Sequence, residues 1–249
     1  MTHKIEWCDL TINPFTGCEG GCRWCYARRF SRRLAGHQGT LYHHLKDAGH
    51  DPFAPAVDLW GLYETFEKLA RRRKGKRVFL GSMSDIAGLS WLVWDRHQGV
   101  FREGRMRPTE LQTMVRTLIA ACPQHTFLVL TKRPDNVMVT FDAENLHLGV
   151  SVTQLHQIFG RARSLLQRYA DSLHWVSMEP LLDPLLADAD LEGIQWLVLG
   201  AQTGPGAPPP QVDTAKQLVE RANGLCIPTF VKENMRKADP AFPWPTELP

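Results

Sequence analysis

Short runs rich in β-branched and aromatic residues alternate along this chain with longer stretches whose apolar positions recur every three or four residues. The first run covers residues 7–13 (WCDLTIN) and leads into a loop carrying three cysteines. Later runs fall at 77–81 (RVFLG), 126–131 (TFLVLT), 146–152 (LHLGVSV), 173–178 (LHWVSM), 195–200 (QWLVLG) and 228–231 (PTFV). Short apolar runs bounded by turn residues predict strands. Helical spacing falls at Leu59, Leu62, Phe66, Leu69 and Ala70, and further helices are expected over 26–34, 154–169 and 212–222. One further helix opens at Pro108-Thr109-Glu110 and stops near Cys122-Pro123, where proline suits the first turn and ends the last.

Strands alternating with helices predict an α/β chain with a parallel sheet, because parallel neighbours need a crossover between them. Six or seven units suit a partial (β/α)6 TIM-like barrel with the cysteine loop after the first strand. A doubly wound open sheet produces the same alternation, so pattern alone leaves both open. Residues 1–235 read as a single domain. Within it, 36–56 is rich in Gly, His and Pro and reads as an inserted loop, and a second loop holds Trp91 and Trp94. Residues 236–249 read as a Pro-rich C-terminal tail.

A chain of 249 residues, 43% hydrophobic, buries a substantial core. Its formal net charge of +3 permits a nucleotide or nucleic-acid partner without requiring one. Arginine and lysine cluster at Arg28, Arg29, Arg32 and Arg33, and again at 71–74, Lys76 and Arg77. Such clusters attract phosphates, and solvated helix faces show them equally often. No apolar run approaches the roughly 20 residues of a membrane span, and the N-terminus has no apolar signal core. The expectation is a cytoplasmic protein with reduced thiols and no membrane association.

Four of the six cysteines (Cys8, Cys18, Cys22, Cys25) lie near the N-terminus, a clustering that reads as metal ligation. Cys18, Cys22 and Cys25 are spaced C-x3-C-x2-C between a predicted strand and a predicted helix. Three adjacent thiolates suit three corners of a [4Fe–4S] cluster, with Gly20 and Gly21 letting the backbone wrap around it. The fourth iron is then open to a reactive ligand. The alternative is a structural zinc site with Cys8 as fourth ligand, although zinc modules more often pair C-x2-C with a second pair or with histidines. Cys122 and Cys226 read as buried apolar residues. His37, His43, His44 and His50 are either solvated loop histidines or metal ligands.

With Trp24 just before the third cysteine, this loop resembles that of the radical S-adenosylmethionine (SAM) superfamily. The resemblance implies a [4Fe–4S] cluster on Cys18, Cys22 and Cys25 whose open iron binds SAM, with Trp24 and Tyr26 beside it. Electron transfer then cleaves SAM to a 5′-deoxyadenosyl radical, chemistry that the cofactor brings and the protein aims. Ligands of parallel α/β barrels gather at the C-terminal strand ends. There Ser82, Ser84 and Asp85 would meet the SAM amino group, Lys132 or Arg133 a carboxylate or phosphate, and Ser151 and Thr153 the ribose. Glu179 would face the cavity, and Gly200 and the glycines after it would admit adenine or substrate closely. Cys8, Tyr26 and Tyr169 are candidate hydrogen donors. Each polar strand end also has a plain structural reading, as a surface charge, an ion pair or a turn.

In order, INPFTGC…C..CYA, VFLGSMSD, LTKRP, LGVSV, SMEPLL and WLVLGAQTGPGA resemble a phage- and prophage-associated radical SAM-like family of unassigned function. Gln202 stands where that family has Glu, Ala201 where it has Gly, and Met178 where it often has Cys. The expected substrate is a nucleobase or nucleotide, a phage DNA base among them. Glu179, Gln202 and Lys132 are the candidate catalytic residues, and a flavodoxin or ferredoxin is the expected electron donor. A radical modifier of a peptide or small molecule, a zinc-stabilised nucleic-acid-binding protein and an iron–sulfur electron carrier are the competing readings.

Overall fold

The computed structural model describes residues 5–140, 143–153, 160, 161, 164, 173–182 and 190–249. The strands are β1 (Leu10–Ile12), β2 (Phe15–Thr16), β3 (Ala56–Asp58), β4 (Arg77–Leu80), β5 (Leu92–Asp95), β6 (Val100–Phe101), β7 (Thr126–Thr131), β8 (Leu146–Ser151), β9 (Leu173–Met178), β10 (Trp196–Leu199) and β11 (Thr229–Val231). The helices are α1 (Tyr26–Leu34), α2 (Leu41–Asp47), α3 (Leu59–Ala70), α4 (Pro108–Ala120), α5 (Val212–Gly224) and α6 (Glu233–Arg236).

Seven strands form one sheet in the order β1-β4-β7-β8-β9-β10-β11. Successive sheet strands of the chain are therefore neighbours, each βα unit stepping the same way. A doubly wound sheet would reverse its order at a switch point. The order decides for the partial TIM-like barrel, with the cysteine loop after the first strand. The chain divides into two compact units, residues 8–146 and residues 147–249 together with 1–7.

In the first unit, β4 pairs in parallel with both β1 and β7. A smaller mixed sheet, β2-β3-β5-β6, lies outside the expected pattern. Its strands run two to four residues, too short for periodicity to reveal. The segment expected as an inserted loop thus contains α2 and reaches β3, and the expected Trp91–Trp94 loop contains β5. His44 stacks on Trp94 with ring centroids 4.0 Å apart, His43 pairs with Asp47, and His50 packs edge-on to Phe101. His44 and His50 thus pack on aromatic rings, while His43 is held by Asp47 and the Ala35 carbonyl.

The helices start and bury as the chemistry of their sequences directs. Asp58 caps α3 by accepting from the Gly61 amide, and Leu62, Phe66 and Leu69 are buried. Glu110 returns to the Arg107 amide at the start of α4, where Pro108 holds the first position.

In the second unit β8, β9, β10 and β11 pair in parallel in that order. Its core centres on Trp7, Trp175 and Trp196, all buried, with ring centroids 4.8–5.9 Å apart. Each indole nitrogen has a partner, which is what lets so large a polar-edged group be buried. Trp175 donates to the His147 carbonyl, Trp196 to the Glu247 carbonyl and Trp7 to Glu179. Gly149 makes room for the cluster, since a Cβ there would lie 2.5 Å from the Trp175 ring. The Pro-rich segment is not a loose tail. Val231 donates to the Pro245 carbonyl and Glu247 to that of Thr229, so this segment covers the β11 edge. The helix expected over 154–169, and Tyr169 with it, lies largely outside the described residues; Gly160, Arg161 and Ser164 are helical. Among the described residues no helix is long and apolar enough to cross a membrane.

Gly149→Ala is expected to destabilise the protein by about 1–3 kcal/mol, as overpacking does. Guanidinium denaturation followed by tryptophan fluorescence checks this; an unchanged midpoint would show that the indoles shift freely.

Candidate functional site

The cysteine loop is held from outside itself. Gly17, just before Cys18, has φ +86°, and a Cβ there would lie 2.2 Å from the Ala54 carbonyl oxygen. Only glycine fits that backbone contact. Gly17 donates to the Met83 carbonyl and accepts from the Asp85 amide, while Cys18 donates to the Phe53 carbonyl. The loop is thereby clamped between residues 53–54 and the turn after β4. Phe53, Met83 and Ala27 form a small core against which Cys18 and Cys25 pack. The segment read as an insertion thus supplies one wall of the site.

All three cysteines are free and half-buried. The open side of Gly20 faces both Cys18 and Cys22, because a Cβ there would lie 3.2 Å from one sulfur and 3.9 Å from the other. The Gly20 amide donates to Cys18 Sγ at 3.2 Å. Cys25 caps α1, its sulfur accepting from the Arg28 amide at 3.4 Å. Amides aimed at sulfur stabilise thiolates and tune a cluster. Among the described residues, no three His, Cys, Asp or Glu side chains converge on one shared metal ion. A cube asks for less convergence, since each thiolate takes a different iron. The residues fit a [4Fe–4S] group held by Cys18, Cys22 and Cys25. Cys8 is buried before β1, its sulfur against Thr11 Oγ1, at the end of the strand opposite the cysteine loop.

Burial pushes the Cys18 thiol up from 9.0 to about 11, with Asp85 adding to the shift and the Gly20 amide and Arg133 opposing it. Without metal the loop therefore holds Cys18 protonated at neutral pH, and a bound cation would displace that proton.

The turn after β4 carries the three residues expected at the SAM amino group. Ser82 and Ser84 are half-buried; the Ser82 hydroxyl bonds to Asn13 Oδ1, which also accepts from the Met83 amide. Asp85 is buried and already well occupied. Its carboxylate accepts from Thr131 Oγ1 at 2.7 Å, the Lys132 amide at 3.0 Å and the Ala87 amide at 3.1 Å. It locks the β4 turn to the end of β7. Glu19, inside the cysteine motif, makes a parallel clamp by accepting from the Leu89 amide and Arg133. The Tyr26 hydroxyl donates to the Ser82 carbonyl with its ring exposed, and Trp24 is half-buried. Asn13 and Glu19 escaped the sequence reading because their spacing to the turns they hold is long-range.

Ser151, Glu179, Gly200 and Gln202 lie in the other unit, at the ends of β8, β9 and β10. Ser151 is buried, and Arg161 donates to its carbonyl. Glu179 accepts from Trp7 Nε1 on one oxygen and from Lys232 Nζ on the other, each at 3.0 Å. Gly200 is the floor of this pair. A Cβ there would lie 3.1 Å from both Glu179 Cγ and Lys232 Cδ. Asn234 makes two bonds with the Ala201 backbone, fixing the glycine-rich segment beyond β10. Gln202 is half-buried. Lys232 and Asn234 were missed because nothing in a short strand followed by a helix marks them as site residues.

The fold is a partial α/β barrel with a loop of three free cysteines following its first two strands. A family model described as "Protein of unknown function (DUF5131)" matches residues 2–238, and the chain belongs to that family. No curated protein sequence matches it. Among solved structures, spore photoproduct lyase complexed with dinucleoside spore photoproduct is 16% identical at TM-score 0.44, covering 76% of this chain and 54% of its own. A spore photoproduct lyase variant with bound AdoMet and dinucleoside spore photoproduct is 17% identical at TM-score 0.49, covering 85% and 59%. The chain thus spans little more than half the length of these proteins.

Two outcomes test the loop. In the metal-free protein at pH 8, iodoacetamide should label Cys18 about tenfold more slowly than an ordinary thiol of pKa 9.0, its smaller thiolate fraction being partly offset by the greater nucleophilicity of a more basic thiolate. The rate should climb tenfold per pH unit until about pH 11, read by peptide mass spectrometry. Gly17→Ala should abolish iron retention after reconstitution, measured by iron and sulfide analysis; full iron content would show that the loop tolerates a shifted backbone.

Proposed function

We propose that this protein is a radical SAM enzyme acting on a nucleobase or nucleotide, a phage DNA base being the specific case the sequence suggests. The observation that carries the radical reading is the cysteine loop itself. Three free thiols share a glycine-floored turn that is pinned on both sides, with amides on two of the sulfurs. Bound there with SAM at its open iron, a reduced [4Fe–4S] cluster would supply the 5′-deoxyadenosyl radical.

The chain's own residues would bind and aim. Cys18, Cys22 and Cys25 ligate the cluster, and Trp24 and Tyr26 flank it. Ser82 and Ser84 offer hydroxyls to the SAM amino group, and Lys132 offers a cation to its carboxylate or to a substrate phosphate. Asp85 acts beneath them, its three hydrogen bonds keeping the serine turn and the Lys132 backbone in register. In the other unit, Ser151 serves the ribose, and Glu179, held by Lys232 and Trp7, and Gln202 serve the substrate. A flavodoxin- or ferredoxin-type protein supplies the electron.

The test is anaerobic reconstitution with iron and sulfide, followed by absorption and EPR spectra with and without SAM. A reduced [4Fe–4S] signal that shifts when SAM is added, and that is lost in Cys22→Ala, is expected. A colourless protein holding zinc and indifferent to SAM would sink the proposal and favour the zinc-stabilised nucleic-acid-binding reading.

A further inference from the structure

α1 follows the third cysteine directly and carries four arginines without a single acidic residue. Its inner face is Ala27 and Ser31, both buried. Arg28 is engaged, paired with Asp51 at 2.7 Å and lying over the Phe53 ring. Arg29, Arg32 and Arg33 are exposed and stand at i, i+3 and i+4, so they share one side of the helix. Among the described residues no carboxylate lies within ion-pair distance of these three.

The same side presents two aromatic rings. Tyr26 is 52% exposed and Phe30 36%, one turn apart. Neither ring is loose. The Tyr26 hydroxyl is tied to the Ser82 carbonyl, and the Arg33 guanidinium lies 4.2 Å from the Phe30 centroid. A solvated basic face explains the arginines but not the exposed Phe30 ring held among them, and flanking a cluster accounts for only one side of the half-exposed Tyr26 ring. An acidic protein partner would likewise use only the charges. Guanidiniums interleaved with stacking platforms are what a strand with exposed bases recognises.

We propose that this face of α1 docks a single-stranded polynucleotide. Its phosphates meet Arg29, Arg32 and Arg33, and its bases stack on Tyr26 and Phe30. This rests on the nucleobase reading above and narrows it: the target base arrives within a strand, led past the cysteine loop, rather than as a free nucleotide. None of these side chains selects for a 2′-hydroxyl, so DNA and RNA strands should bind alike.

Fluorescence anisotropy of a labelled oligothymidylate of about twelve nucleotides, within the ~4–16 of such platforms, tests this on the full chain with and without reconstituted iron. Arg29→Glu/Arg32→Glu/Arg33→Glu should weaken binding at least about 100-fold at low salt. It should also flatten the slope of log K against log salt by about 2, near 0.7 for each lost phosphate contact. Phe30→Ala should weaken binding roughly tenfold at every salt concentration with the slope unchanged, as a stacking loss does. Arg71→Glu/Arg72→Glu/Arg73→Glu, an equal charge change elsewhere, should leave most of the affinity in place, and circular dichroism confirms that each variant is folded.

Equal losses from both charge reversals would overturn the proposal, as would equal affinity for duplex DNA. Competition by polyglutamate as strong as by oligothymidylate, with Phe30→Ala silent, would replace it with an acidic-protein site. Binding in the iron-free protein keeps this outcome separate from the radical reading. A SAM-responsive cluster with no oligonucleotide affinity would sink the docking surface alone.

Discussion

A loop of eight residues cannot aim three thiols by itself; something outside it must fix its backbone. Here the constraint is the close approach of Gly17 to the Ala54 carbonyl, a contact that excludes any Cβ and imposes a left-handed backbone. From that point the loop reaches in two directions, to the Phe53 carbonyl through Cys18 and to the β4 turn through Met83 and Asp85. The three sulfurs inherit their positions from that clamp. The same turn places Ser82 and Ser84, so the cysteine loop and the residues expected around SAM are positioned by one set of backbone bonds.

Several carboxylates among the described residues hold backbone segments in place. Asp85 and Glu19 each bridge the end of β7 to a neighbouring segment, one buried and one at the surface. Asp58 and Glu110 start helices, and Glu6 collects the Glu233 amide and Arg236 at the start of α6. Glu179 differs, being paired with a lysine and an indole over a glycine floor at a strand's C-terminal end. That placement, rather than its charge, is what keeps it a candidate for substrate chemistry.

The polar strand ends show how much of a site a sequence can reveal. The three cysteines stand out as a candidate ligand set because their spacing is contained within eight consecutive residues. Asp85 stands out locally as a polar strand end, but its structural partners do not. Its bonds to Thr131 and the Lys132 amide span more than forty residues, and no local pattern announces them. Asn13, Glu19, Lys232 and Asn234 were invisible for the same reason.

The sequence by itself determined the strand–helix alternation, the amphipathic face of α3, and the spacing of the three cysteines. Each of these is written in spacings of a few residues, over which side-chain direction follows from backbone geometry alone. Tertiary structure decided between a barrel and a doubly wound sheet, because strand order depends on which distant strands pair, and both orders share one alternation. It also turned the apparent insertion into the wall beneath the cysteines and the Pro-rich tail into the cover of the β11 edge. Both segments take their structure from partners far along the chain, against which a short, irregular stretch has little preference of its own.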